Sequence, residues 1–405
     1  MNGLPMVSNS ILSAQLTEGH RELGARASDY FTSEWLERWR TAPGEHVHKE
    51  VWRDLAAHGF LGVSLPRDLG GHGLGLLGAL ILGEALARVG DGGIALGMHV
   101  QNEIACDWLV SSGDDTLCDR FLPCLLSGDL VACQCDTNPS AHEPTTAATD
   151  GAEIVIRGRK AFVVNGVSAD LCFVSVLLDG EQAIVLAEKS TPGVRATEVY
   201  NKFGTRSVDS ALVEFDQARI PARQVISRRG VSQLMRWNRV MSRMRFLIAA
   251  DAFYLHRMLL AYIVGYATRR ELGGRMLAAW PVNAHTLAKA RADQELMEAG
   301  ITDGYLRLTE GGSTVPEIAE LKWFCVEQAT ELATLCTDLE GGAGYMWDSV
   351  ALRAHAQLRG FRMSGGSQTT MLTIANHSMA CRAELAEPAA AGAAMATANA
   401  GRHRG

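Results

Sequence analysis

The chain has 405 residues, 47% of them hydrophobic and 20% charged, with a net charge of −7. That length supports two or three packed units around a large core. No Lys/Arg stripe points to nucleic acid, and no basic amphipathic face points to a membrane surface.

Residues 10 to 128 read as helices. "VWRDLAAHGFLGVSL" is amphipathic and ends at Gly59 with a short apolar exit. "LGLLGALILGEALARVG" and "IALGMHVQNEIACDWLVSSG" are largely apolar and stop at Gly90 and Gly113. Glu84, Arg88, Glu103 and Asp107 interrupt both, so neither reads as a membrane span. "GGHGLG", Gly70 to Gly75, lacks the spacing and the preceding strand of a nucleotide fingerprint and reads as a turn between helices. The N-terminus has no basic segment and no long apolar core, so no secretory signal is read there.

The pattern changes near Val131. "EIVIRGRKAFVVNG", "ADLCFVSVLLDG", "QAIVLAEK" and "ALVEFDQARIP" are short β-rich runs bounded by Gly, Asp and Asn, ending at Pro221. The nine cysteines are scattered except for Cys133 and Cys135. On a strand these two sulfurs share a face. With no second ligand pair nearby in sequence, they read as buried thiols of a reduced, cytoplasmic protein, with no metal site. His46 and His48, two apart, do not form a helical metal pair.

Helical periods return near Val231. The run from Phe246 to Val264 is apolar nearly all round and reads as a central buried helix. Asp251 lies within it, and an ion pair with an arginine on another helix is the expected partner. Three more long helices are expected, with breaks at "EGGST", "EGGAGY" and "MSGGSQ"; His377, on the last, is expected to face solvent. After Ala383 the chain is low-complexity and reads as a disordered tail. The expected class is α+β: an N-terminal helical domain (1–129), a central β-domain (130–224), a C-terminal four-helix domain (225–385) and a tail (386–405).

Several segments together resemble the acyl-CoA dehydrogenase family. "LAAHGFLGVSLPRDLGG" is similar to the family's N-terminal helix and exit loop, and "CDTNP" to its Thr-Glu-Pro flavin loop. "GRKAFVVNGVSADLCFV", "FGTRSVDSALVEFDQARIP", "YATRRELGG" and "LEGGAGY" resemble further family stretches in the family's order. The resemblance covers roughly residues 15 to 383. It implies FAD between the β-domain and the C-terminal helices, and an acyl thioester as substrate. It also implies a glutamate that takes the α-proton while hydride leaves for the flavin, and assembly as a homodimer or homotetramer.

The resemblance also assigns residues. Thr137, Arg270, Gly341, Gly342 and Gln368 match cofactor-binding positions, with Arg270 reaching the pyrophosphate of a neighbouring subunit. Phe162 and Val164 stand where the family has Trp and Thr. Other matches depart from the pattern: Asp338 replaces a glutamine, Gly366 a threonine and Gly273 an interface phenylalanine. His142, Glu143 and Pro144 replace Gly-Ser-Asp, and the Glu143 carboxylate would repel a pyrophosphate.

Ser364 stands where the resemblance places the catalytic glutamate. The alternative base position, just before the matching Arg245, is Met244. An unactivated hydroxyl cannot deprotonate a carbon acid; the backbone N–H of Ser364 is left as a carbonyl clamp. Asp136, beside Thr137, is the substitute-base candidate, against a reading as a loop cap. Three functions are open. The first is a flavoprotein oxidising a CoA- or carrier-protein-bound acyl group in specialised biosynthesis. The others are a flavin monooxygenase or oxidase on the same fold, and a non-redox, cofactor-free member.

Overall fold

The computed structural model describes residues 10–39, 49–228, 230–311 and 315–379. His46, His48 and the C-terminal tail lie outside them. The N-terminal unit is helical: α1 Ser10–Ala14, α2 Glu18–Tyr30, α3 Ser33–Trp39, α4 Glu50–Ala57, α5 Gly75–Arg88, α6 Gly93–Met98, α7 Cys106–Ser112 and α8 Asp115–Leu126. Between α6 and α7 the helix continues as a π-helical segment, His99–Ala105, every residue of which is buried.

Its polar side chains explain that widened turn. Gln101 donates to the carbonyls of Leu125 and Leu130 and accepts from the Ala132 N–H. Asn102 accepts from the Gly62 N–H, and Glu103 meets Arg243 at 2.5 Å. These bonds tie the segment to the first strand and the central helix. Val100 and Ile104 are left on the wall of a cavity.

The β-domain is one eight-stranded sheet in the order β6-β7-β3-β2-β4-β5-β8, with β1 parallel to β4. The strands are β1 Ala132–Cys135, β2 Thr146–Asp150, β3 Glu153–Val164, β4 Leu171–Leu178, β5 Glu181–Glu188, β6 Val194–Val199, β7 Ser210–Pro221 and β8 Val225–Arg228. Because β8 pairs with β5, the domain runs four residues past the expected boundary at 224. Its inward residues, Ile154, Val174, Val185 and Phe215 among them, form a core of their own.

Parallel pairing sets Cys133 opposite Cys172, so three sulfurs gather where the sequence offered two. Cys133 Sγ is 3.6 Å from Cys135 Sγ and 3.5 Å from Cys172 Sγ. All three are wholly buried in apolar core, and no other cysteine, histidine or carboxylate joins the cluster among the described residues. They are packed as apolar core side chains.

The C-terminal unit is built on α9, Val231–Ala267, which packs on α5, α10 (Pro281–Glu310) and α11 (Val315–Glu340). It is long and apolar enough to cross a membrane, but 72% of its apolar window is buried inside the fold. The expected break at "MSGGSQ" separates α12, Val350–Phe361, from a last helix over residues 368–379. Asp251 faces His99, with Nε2 to Oδ2 at 2.8 Å, and not the expected arginine. After α9, β9 Glu271–Leu272 and β10 Arg275–Met276 form a hairpin. Gly273 and Gly274, at φ 63° and 77°, make its two-residue turn. Such a turn favours glycine, which adopts positive φ without strain, in keeping with the lack of a side chain at 273.

Candidate active site

The β-domain, the π segment, α9 and the "SGGS" turn enclose a cavity of about 650 Å3. A second cavity of about 640 Å3 shares Asp136 and Trp237 with it. Of the sequence candidates, Asp136, Thr137, Phe162, Val164, Arg245, Ser364 and Gly366 line the first cavity. Arg270, Asp338, Gly341, Gly342 and Gln368 line neither. Arg270 is exposed at the start of the hairpin, and Gly341–Gly342 open the turn that follows α11.

On the β wall, the pairing of β3 with β7 shifts register between Lys160 and Val163. This bulge turns Phe162 out of the ladder at φ 57°. Such a backbone is costly for an aromatic residue, and bulges often re-aim a side chain beside a functional site. The Phe162 ring is 68% exposed and lies 4.9 Å from the Tyr200 ring. With Thr137, Ala161 and Val164 it makes a largely apolar wall with a bare aromatic face, which fits a planar ring such as a flavin.

Asp136 projects at the end of β1. Its Oδ1 accepts from Gln134 Nε2 at 2.7 Å. Behind it, buried Lys160 donates to the Asp136 carbonyl at 2.8 Å and to Ser175 Oγ at 3.1 Å. Desolvation pushes the Asp136 carboxyl up to about 6, only partly offset by Gln134 and Lys160. Desolvation likewise brings Lys160 down to about 8. The Asp136 carboxylate accepts from no backbone N–H among the described residues, and the loop is capped instead by Asn138, whose Oδ1 accepts from the Thr145 N–H at 3.2 Å, so the loop-cap reading of Asp136 does not hold.

The opposite wall is the turn from Arg362 to Ser367. Gly365 and Gly366 have φ 65° and 102°, and a Cβ on Gly366 would come within 2.8 Å of Met371. Buried Lys322 holds the turn from behind, donating to Gly366 O at 3.0 Å and Gln368 Oε1 at 2.8 Å. Desolvation and the nearby Arg245 and Arg362 bring Lys322 down to about 7. Arg245 donates through Nε to Gly365 O at 2.9 Å.

Three expectations fail here. The Ser364 N–H and hydroxyl both donate to Gly360 O, at 3.1 Å each, so Ser364 offers no free carbonyl clamp. Gln368 is not free for a cofactor: it also donates to Trp323 O and Glu327, and its side chain is a strut of the turn. Glu143 is exposed and paired with Arg159 at 2.9 Å, which offsets the charge expected to repel a pyrophosphate. The lining residues that sequence reasoning missed are Gln134, Trp237, Met241 and the residues around the π segment. The polar run His99-Val100-Gln101-Asn102-Glu103 inside an apolar helix was the available signal.

The chain matches three family models in succession. They are the acyl-CoA dehydrogenase N-terminal domain over residues 17–129, the middle domain over 135–218 and the C-terminal domain over 228–380. It is 26% identical over 348 residues to the mitochondrial long-chain specific acyl-CoA dehydrogenase of Sus scrofa, covering 82% of this chain and 79% of the relative. A glutaryl-CoA dehydrogenase from Mycobacterium smegmatis, solved in complex with FADH2, superposes with a TM-score of 0.79 at 22% identity, over 91% of this chain and 96% of that one. The prolyl acyl carrier protein oxidase AnaB superposes at 0.80 and 19% identity, over 92% and 99%. Both structures speak for the fold alone.

Proposed function

The chain belongs to the acyl-CoA dehydrogenase family, whose members bind FAD, and we propose that it oxidises an acyl thioester with Asp136 as the proton acceptor. The observation that carries this reading is the composition of the cavity walls. Asp136 is the one acid lining either cavity among the described residues, and neither cavity has a lysine or histidine on its wall. Its carboxyl titrates near 6, so at neutral pH it is ionised and basic enough to take a proton from an acidified carbon.

Thr137, Phe162 and Val164 would hold the flavin ring, and Arg270, Gly341 and Gly342 its distal half. When bound, FAD supplies the hydride acceptor. Gln134 orients Asp136 by its 2.7 Å bond, and Lys160 fixes the loop that carries it. Leu96, Val100, Ile104, Met241 and Met244 give the acyl chain a dry wall. The vacant glutamate position supports a specialised biosynthetic role, with a carrier-tethered acyl group among the substrates.

The test is anaerobic mixing of the FAD-loaded protein with acyl-CoA and acyl-carrier substrates while flavin absorbance is followed. Bleaching by wild type, lost in Asp136→Asn, is the expected outcome. Equal bleaching by both would remove Asp136 from the mechanism. No bleaching by any thioester, with rapid reoxidation of chemically reduced flavin and product hydroxylation, would favour a monooxygenase.

We also propose a homo-oligomer. Its support is the row of exposed apolar side chains Leu272, Met276, Val282 and Leu296 on the hairpin and α10. A monomer in sedimentation at micromolar concentration would overturn it.

A further inference from the structure

The second cavity, of about 640 Å3, has no part in the reading above beyond its share of Asp136 and Trp237. It continues the first along one stripe of α9. Met244, Met241, Trp237 and Gln233 follow at spacings of three and four residues, which puts them on one helix face. Met244, Met241 and Trp237 line the first cavity, and Trp237 and Gln233 line the second. At a rise of about 1.5 Å per residue the stripe is roughly 16 Å long, with Gln233 about 6 Å beyond Trp237.

Side-chain contacts fix the junction of the two cavities. Wholly buried Trp108 packs 6.4 Å from the Trp237 ring and donates from Nε1 to Gln134 Oε1 at 3.0 Å. Gln134 in turn donates to Asp136. Past that junction the second chamber has apolar sides, Ile184, Leu234 and Trp237, and it opens to solvent at Gly230 and Leu234. Gln233 is the exception. It lines the chamber, is only 9% exposed and makes no hydrogen bond among the described residues. A buried primary amide without a partner is costly, so its donor and acceptor are left for a group brought into the chamber. Apart from Asp136, no charged side chain lines this chamber among the described residues.

Building on the thioester reading above, we propose that the acyl group of the substrate extends past Asp136 into this second chamber and carries there a neutral amide, which Gln233 binds. An amide offers both a donor and an acceptor, and the Gln233 side chain meets it with both. A plain hydrocarbon chain would leave Gln233 buried and unpaired, and a carboxylate would enter without a counter-ion. The thioester arm has a separate opening beside the glycine turn, where Phe162 and Met363 on the first cavity are 68% and 62% exposed. The substrate class is an acyl thioester whose chain ends in, or continues through, an amide bond.

The test is calorimetric binding to the FAD-loaded full chain, its flavin reduced beforehand with dithionite so that no turnover occurs. The probes are adipamoyl-CoA, its hydrocarbon isostere with an isopropyl group in place of the terminal amide, and adipoyl-CoA with a terminal carboxylate. Wild type is expected to bind the amide about 5- to 50-fold more tightly than the isostere, and more tightly than the acid. In Gln233→Met the preference for the amide over the isostere should fall to within about twofold or reverse. The isostere should bind that variant as it binds wild type, which also reports an intact fold. Equal binding of amide and isostere by wild type, or tightest binding of the acid, overturns the inference and leaves the thioester reading standing. A preference that survives in Gln233→Met removes Gln233 from the role. An equal loss for all three probes in that variant assigns the chamber to the thioester arm they share, and likewise overturns the inference. Failure of wild type to bind any probe or any other acyl thioester overturns the thioester reading itself.

Discussion

The two walls of the cavity use one device and end on opposite charges. On the β wall, buried Lys160 donates to the carbonyl of Asp136 and to Ser175. On the helical wall, buried Lys322 donates to the carbonyl of Gly366 and to Gln368. Each lysine braces an irregular turn from behind, where backbone acceptors would otherwise be buried without donors. The β turn then presents a carboxylate, Asp136, to the cavity, and on the helical wall α9 presents a guanidinium, Arg245. On the reading proposed above, the acid–base group has changed walls relative to the family pattern. The helical side keeps the glycine turn and loses its acid, while the β side gains one.

The largest effect should come from Asp136→Asn. General-base catalysis contributes about 10²–10⁴-fold, and the rate of flavin reduction in stopped flow should fall by that factor. The same variant should raise the melting temperature at pH 8 but not below pH 4. The folded pKa of Asp136, near 6, lies above the ordinary carboxylate value, so its ionised form opposes folding only where it is charged.

Next come the bracing lysines. Lys322→Met strands two buried acceptors and should lower the unfolding free energy by roughly 2–4 kcal/mol, read by denaturant titration. Lys160→Met should destabilise less, because Ser175 can turn its hydroxyl onto the Cys135 or Asp136 carbonyl.

The pH profile separates the two walls further. With wild type, flavin reduction should be lost as pH falls through about 6, where Asp136 takes up its proton. Lys160 attracts the Asp136 charge, so Lys160→Met should move that limb to higher pH. Lys322→Met should leave it in place. A limb that ignores Lys160 would mean that another group titrates. The smallest effect belongs to Glu143→Gln. This exposed pair with Arg159 should change stability by less than about 1 kcal/mol and FAD affinity not at all.

Much of the architecture was legible because it rests on local rules. The all-round apolar run in α9 could only be a buried helix, and the Gly-bounded runs Glu153–Val164 and Leu171–Leu178 could only be strands. The strands of the β-domain that were missed, β2, β6 and β8, are short or half-exposed and carry weak alternation. The π segment was missed for a related reason: its period departs from 3.6, and it is held by tertiary bonds from Gln101, Asn102 and Glu103.

The sequence alone determined the order of helical, β and helical units, the position of the glycine turn at Gly365–Gly366, and the absence of an acid at 364 and 244. Those follow from residue identity and period. Only the tertiary structure decided which candidates meet. Cys172 joined Cys133 through parallel pairing, His99 replaced the expected arginine at Asp251, and Glu143 found Arg159. It also decided that the Ser364 N–H and hydroxyl are spent on Gly360, and that Arg245 lines the cavity with its Nε bonded to Gly365 O and no ion-pair partner among the described residues. A hydrogen-bond partner or a counter-ion is a relation between distant segments, and pattern within one segment carries no record of it.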